Sequence, residues 1–118
     1  MQRIEADKEF KEILEAFAEG VPAIIDCGYG WGEIVKECHS FLVNEDPNYT
    51  ISQIKEKFGG LRYYFNPTDM KQYTRLSGAI LKIEDKSFSI CETCGDDGSK
   101  RTSSTGRIYV SCDLHEII

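Results

Sequence analysis

Residues 91–115 read CETCGDDGSKRTSSTGRIYVSCDLH. Cys91 and Cys94 form a Cys-x2-Cys pair followed by Gly95, and Cys112 and His115 form a Cys-x2-His pair seventeen residues further on. A two-residue gap lets both side chains of a pair converge on one ion from a single tight turn. Two such pairs supply three sulfurs and one imidazole, a soft tetrahedral donor set that suits zinc. Ser103-Ser104-Thr105-Gly106 reads as a turn ahead of a β-compatible run at 107–111. A hairpin is therefore expected to return the second pair to the first, giving a treble-clef-like or ribbon-like zinc module. The competing reading is a disulfide framework, which needs an oxidising compartment. Four protein ligands close the coordination shell, whereas a catalytic zinc keeps a position open for water, so the expected role is structural. Binding free energy would then be folding free energy for residues 88–118.

Upstream of this tail, Met70, Tyr73, Leu76, Ile80 and Ile83 repeat at helical spacing, with Pro67 near the start, and predict a helix over 68–87. Before it, residues 50–66 read TISQIKEKFGGLRYYFN, where Gly59-Gly60 separates two β-compatible arms. That pattern predicts a hairpin with a tight turn. Ile51, Ile54 and Phe58 also fit a helix, which leaves the first arm open. Trp31, Ile34, Val35, Cys38, Phe41 and Leu42 share one face of a helix expected over 31–43, opened by the turn Gly28-Tyr-Gly-Trp-Gly32 and followed by a loop at 44–49. Residues 21–27 form a short apolar run suited to a strand. The first helix is expected over 8–19, with Phe10, Ile13, Leu14 and Phe17 as its stripe, Asp7 as its cap and Gly20 as its stop. The expected fold class is α+β: three helices, a short β-hairpin and the zinc module, with residues 1–118 as one domain, 1–88 as its core and 88–118 as its tail.

The 118 residues are 41% apolar and 11% aromatic, enough to close one core, and no apolar run approaches the ~20 residues of a membrane span. The N-terminal residues alternate charged and apolar types and lack the apolar centre of a secretory signal. A cytoplasmic setting is the expectation. The net charge is −6 and is unevenly placed: residues 1–50 carry four basic and eleven acidic side chains, and residues 51–118 carry ten and nine. An acidic first half suits a basic protein surface and opposes a dominant nucleic-acid-binding face.

Outside the tail, recognisable catalytic sets are missing, and no catalytic residue is assigned. If His115 ligates zinc, His39 alone remains, and it reads as a solvent-facing helix residue. Glu84-Asp85-Lys86 has the carboxylate-x-lysine form of a metal-dependent nuclease but falls late in a helix instead of at a strand end. Cys27 and Cys38 read as buried thiols, with a redox pair or a second metal site including His39 as the alternative. The segment 53–65 interleaves Lys55, Lys57 and Arg62 with aromatics that include Tyr64, a combination able to neutralise phosphates and stack bases. The candidate binding residues are Trp31, Lys55, Lys57, Arg62 and Tyr64. An enzyme would require Glu56, Arg62 and His39 to converge.

Gly30-Trp31 opening a helix, Gln53-Ile-Lys-Glu-Lys-Phe-Gly-Gly-Leu-Arg-Tyr-Tyr64, Cys91-Glu-Thr-Cys-Gly95 and Cys112-Asp-Leu-His115, in this order, resemble a family of small uncharacterised bacterial and phage or prophage proteins. The resemblance implies a cytoplasmic setting and a shared role for the KEKFGGLR segment and the zinc tail. The acidic first half, the closed zinc shell and the missing catalytic set lead to the expectation of a non-enzymatic protein that acts by protein–protein binding, and proteins of the size and origin that the resemblance implies often act as regulators or inhibitors of a host factor. Nucleic-acid binding through the 53–65 hairpin is the alternative.

Overall fold

The structure is a computed structural model that describes residues 2–117. Its fold is α+β. The helices are α1 (Lys11–Glu15), α2 (Gly32–Glu45) and α3 (Tyr73–Asp85), and the strands are β1 (Ile25–Asp26), β2 (Thr50–Lys57), β3 (Gly60–Asn66), β4 (Ser99–Thr102) and β5 (Ile108–Ser111). A mixed three-stranded sheet runs in the order β1-β2-β3, and β4 and β5 form a separate antiparallel pair. β1 lies parallel to β2, a pairing that requires a crossover, and α2 supplies it. Among the described residues, no helix is long and apolar enough to cross a membrane.

The core forms where α2 covers one face of the sheet. Trp31, Ile34, Val35, Cys38 and Leu42 are buried against Ile25, Ile51, Ile54, Leu61 and Tyr63, and Leu76, Ile80 and Ile83 of α3 join them. Each helical residue among them belongs to the apolar stripe its spacing defines, and hydrophobic burial holds the layers together. The third helix differs from expectation at its start. Met70 and Tyr73 are exposed, and Met70 sits in a short 3-10 turn (Met70–Gln72) that precedes α3. Tyr73 stacks instead on Phe65 at the edge of the sheet.

The first helix is also shorter than expected. Asp7 caps the entry turn by accepting from the Glu9 amide. The chain then leaves the helix after Glu15, because residues 16–18 bond to β2: the Ile51 N–H donates to the Ala16 carbonyl and the Ala18 N–H to the Ile51 carbonyl. Phe17 thereby packs on the core from an extended segment.

The first hairpin arm is a strand. A register irregularity between Ile51 and Gln53 turns both Ile51 and Ile54 inward, so their three-residue spacing reflects a bulge and not a helix. The two-residue turn is Phe58-Gly59, with Lys57 paired to Gly60. Both turn residues have positive φ, 53° and 86°, as the tight turn that matches strand twist requires.

β3 is the edge of the sheet, and α3 closes it. The outward-facing amides of Leu61 and Tyr63 donate to the Ser87 hydroxyl at 2.9 Å and the Glu84 carboxylate at 2.6 Å. Glu84 in the last turn of α3 and Ser87 in the 3-10 helix Lys86–Ser89 that follows lie three apart, so they meet alternate strand amides. Glu84 is thus a structural acceptor. Ser87→Ala should leave the buried Leu61 amide without a partner and cost about 1–3 kcal/mol in urea unfolding, whereas Ser89→Ala, at an exposed position, should change stability by no more than about 0.5 kcal/mol.

Candidate metal centre

Cys91 and Cys94 are held by a turn in which the Gly95 N–H donates to the Cys91 carbonyl at 2.9 Å, and the Cys91 N–H donates to the Asp96 carbonyl at 2.7 Å. The β4–β5 hairpin returns the chain to this turn, and Cys112 caps the short 3-10 helix Asp113–His115 that ends in the fourth donor. Arg101 on β4 fastens that helix, donating to the Ser111 carbonyl and to Asp113 at 2.7 Å. The donor atoms of Cys91, Cys94, Cys112 and His115 all lie within 4.8 Å of one another.

Three of the separations lie close to tetrahedral edges. An ion with bonds of about 2.3 Å to sulfur and about 2.0 Å to nitrogen sets sulfurs about 3.8 Å apart and sulfur and nitrogen about 3.5 Å apart. Cys94 and Cys112 Sγ are 3.8 Å apart, and His115 Nδ1 is 3.2 Å from Cys112 Sγ and 3.7 Å from Cys91 Sγ. A disulfide would need about 2.05 Å, and these cysteines are free thiols. The four residues could bind a metal ion.

The local electrostatics suit a cation. Burial would raise the Cys91 thiol, but the amides of Cys112, Cys94 and Thr93 outweigh it and bring Cys91 down to about 6. At Cys94 the Asp96 amide favours the thiolate, yet desolvation and the sulfurs of Cys91 and Cys112 push it up to about 11. Crowded sulfurs therefore resist a second negative charge, and a divalent ion among them removes that cost while releasing protons.

The Gly28–Gly32 turn is the cradle of this centre. The Gly30 N–H donates to the Glu92 carbonyl at 2.8 Å, the Gly28 N–H to the buried Glu92 carboxylate at 3.0 Å, and the Trp31 indole N–H to the Ile90 carbonyl at 2.9 Å. A Cβ at residue 30 would stand 2.0 Å from the Cys91 carbonyl oxygen, so only glycine permits this approach. The hairpin tip abuts the module from another side, with Gly59 against Ile108 and Tyr109.

This arrangement relocates several candidate residues. Trp31 is fully buried, 0% exposed, so it anchors the module inside the core and forms no part of an exposed binding surface. Lys55 and Arg62 are half-buried cross-strand partners, Lys57 is exposed, and Tyr64 is exposed opposite Gln53. Glu56 pairs with Leu61 on the core-facing side and accepts from the Gly59 amide at 2.7 Å, whereas Arg62 points to the opposite side. Glu56, Arg62 and His39 therefore do not converge.

His39 is not solvent-facing. It is buried, its Nδ1 lies 2.7 Å from the Tyr49 hydroxyl, and that hydroxyl lies 2.7 Å from the Tyr63 hydroxyl. Burial lowers the His39 pKa, opposed by Glu12, and raises both tyrosines. No short motif marks this chain of hydrogen bonds, but helical spacing carries a trace of it: residue 39 follows Val35 by four and precedes Leu42 by three, on the buried stripe. Cys27 and Cys38 are buried thiols whose pKa values desolvation raises.

Two outcomes follow from this geometry. Gly30→Ala should force the knuckle from its cradle, costing about 1–3 kcal/mol of stability and speeding proteolysis within residues 88–117. Because the folded His39 pKa lies below its unfolded value, its contribution is complete above about pH 6.5 and fades as pH falls through the folded pKa. The melting temperature should therefore drop more between pH 7.5 and 5.5 in the parent than in His39→Gln, acid loss of metal being common to both. No family model, curated protein or solved structure matches the chain, so its own residues carry the functional argument.

Proposed function

We propose that one zinc ion occupies the Cys91, Cys94, Cys112 and His115 site, that its role is structural, and that the chain is a non-enzymatic binding module. The observation that carries this reading is the gathering of the four donor atoms within 4.8 Å of one another, three of their separations lying close to the edges of a zinc tetrahedron. Three thiolates with one imidazole favour zinc among the common divalent ions, and four protein donors leave no position for a reacting water. Two further features support a scaffold role. The centre is bonded to the core through Gly28, Gly30 and Trp31, and the groups that an enzyme would need at the hairpin are divided between its two faces. Three thiolate ligands also suit the reducing cytoplasm.

The same reading takes the partner to be a protein, as befits a phage- or prophage-type regulator or inhibitor of a host factor. What supports it is the exposed acidic surface of the first half, where Glu5, Asp7, Glu12, Glu15 and Glu19 are all solvent-facing. Such a surface speeds association with a basic partner.

Metal analysis of purified protein should find close to one zinc per chain, and cobalt substitution should give the intense visible bands of a tetrahedral thiolate site. Cys94→Ser should lower zinc affinity at least tenfold and expose residues 88–117 to protease, while the helical circular dichroism of α2 and α3 is largely retained. A purified chain that is folded, metal-free and protease-resistant in this segment would overturn the structural-zinc reading. For the partner, a zinc-loaded sample that co-purifies no stoichiometric protein from host lysate at low salt would overturn the protein-binding one.

A further inference from the structure

The core packs on one side of the three-stranded sheet, while the other side is covered at its Gly60 end by Phe88. Cross-strand partners project to the same side of a sheet. Ile54 with Tyr63 and Glu56 with Leu61 therefore line the buried side, where Tyr63 meets Tyr49 and His39. Gln53 with Tyr64, Lys55 with Arg62 and Lys57 with Gly60 line the other, and there Gln53, Lys57 and Tyr64 are exposed. Phe88 continues this surface, since a Cβ on Gly60 would meet its ring at 2.5 Å, and Lys100 Nζ from β4 stands 4.6 Å from the centroid of that ring.

The cations on this side are gathered together. Among the described residues, Lys55, Lys57, Arg62 and Lys100 take part in no ion pair, as is also true of Lys8, Lys71, Lys82 and Arg107, whereas Arg3, Lys11, Lys36, Arg75, Lys86 and Arg101 each do. Asp26, the neighbour of Lys55 on β1, is engaged by Arg3 at 3.5 Å. A chain of net charge −6 thus gathers four cations without ion-pair partners on one surface. The aromatic residues point the same way. Phe58 is 67% exposed at the tip, in a positive-φ position that Asn or Gly would fill with less strain, and Lys57 Nζ lies 5.8 Å from its ring centroid. Tyr64 is 39% exposed in the middle of the face. Neither ring is there for burial.

We propose that this bare sheet face and its tip bind single-stranded nucleic acid, with Lys55, Lys57, Arg62 and Lys100 on phosphates and Tyr64 and Phe58 stacked on bases. Cations alone would suit any polyanion, but exposed rings beside them match unpaired bases, which offer π-faces that a duplex hides. The acidic remainder of the chain, repelling any backbone that extends past the face, favours a short strand over a long duplex. This surface is separate from the acidic one assigned to a protein partner, and it needs the metal centre only to seat Lys100.

The test is fluorescence anisotropy of the zinc-loaded full chain with labelled 12-nucleotide oligo(dT) and oligo(U), between 20 and 200 mM salt. Binding should weaken with salt at a log–log slope of about −3, for four phosphates neutralised on a single strand. Lys55→Ala/Lys57→Ala/Arg62→Ala should reduce the magnitude of that slope by about 2 and the low-salt affinity more than tenfold. Tyr64→Ala and Phe58→Asn should each weaken binding by roughly 5- to 100-fold, the range expected for one stacked base. Lys71→Ala/Lys82→Ala, which removes two lysines from outside the face, should bind as the parent does. Retained zinc content and melting temperature establish that each variant is folded, and Lys57→Ala alone replaces the triple variant if that one is not. The proposal is overturned if folded, zinc-loaded protein binds neither strand at 20 mM salt, or if the control variant loses as much as the triple. Tighter binding of a 12-base-pair duplex overturns it as well. Tighter binding of polyglutamate, undiminished in Tyr64→Ala, would assign the face to an acidic protein instead.

Discussion

The seam between the α+β core and the C-terminal module is held by polar groups that neither part can satisfy alone. The Trp31 indole N–H is buried and its acceptor is the carbonyl of Ile90; the Glu92 carboxylate is buried and its donor is the amide of Gly28. A buried group that loses its partner costs about 1–3 kcal/mol, so opening the seam is penalised on both sides. The module has little else to stand on. A two-stranded hairpin is marginal in water by itself, and its buried Val110 belongs to the cluster built around Trp31. The metal centre therefore leans on the core for its docking, with the Cys91–Cys94 turn pressed on the backbone of Gly30.

The sheet is managed asymmetrically. One face takes the apolar stripe of α2, and the exposed edge at β3 is closed by side chains of α3, which denies its free amides to other chains. The remaining face keeps its cations and its tyrosine. Elsewhere, ion pairs of Lys36 with Glu9 and Glu33, Arg75 with Glu45, and Lys86 with Glu37 tie the helices together at the surface. Such pairs add little stability individually.

Several features were legible in the residues alone because their causes are local. The spacing of Cys91, Cys94, Cys112 and His115 defines two turns that each present two donors, and the turn at 103–106 leaves a hairpin as the simplest way to unite them. The stripe Ile34, Val35, Cys38 and Leu42 follows from helical periodicity, and the Phe58-Gly59 turn lies within one residue of the expected Gly59-Gly60. Misreadings arose where a distant partner outweighed local preference. Residues 16–18 abandon the helix to bond with Ile51, and Met70 lies outside the stripe because α3 begins only after it.

The chain's order of residues by itself determined the α+β class, the helical faces and the four donors, since each depends on interactions within a few residues or on a spacing that a tight turn enforces. Only the tertiary structure decided what Trp31, His39 and Glu92 do. Their partners, Ile90, Tyr49 and Gly28, lie 59, 10 and 64 positions away. A polar atom's role when buried is set by whichever group packing brings within hydrogen-bond distance, and periodicity can mark that the atom is buried but not which distant group becomes its partner.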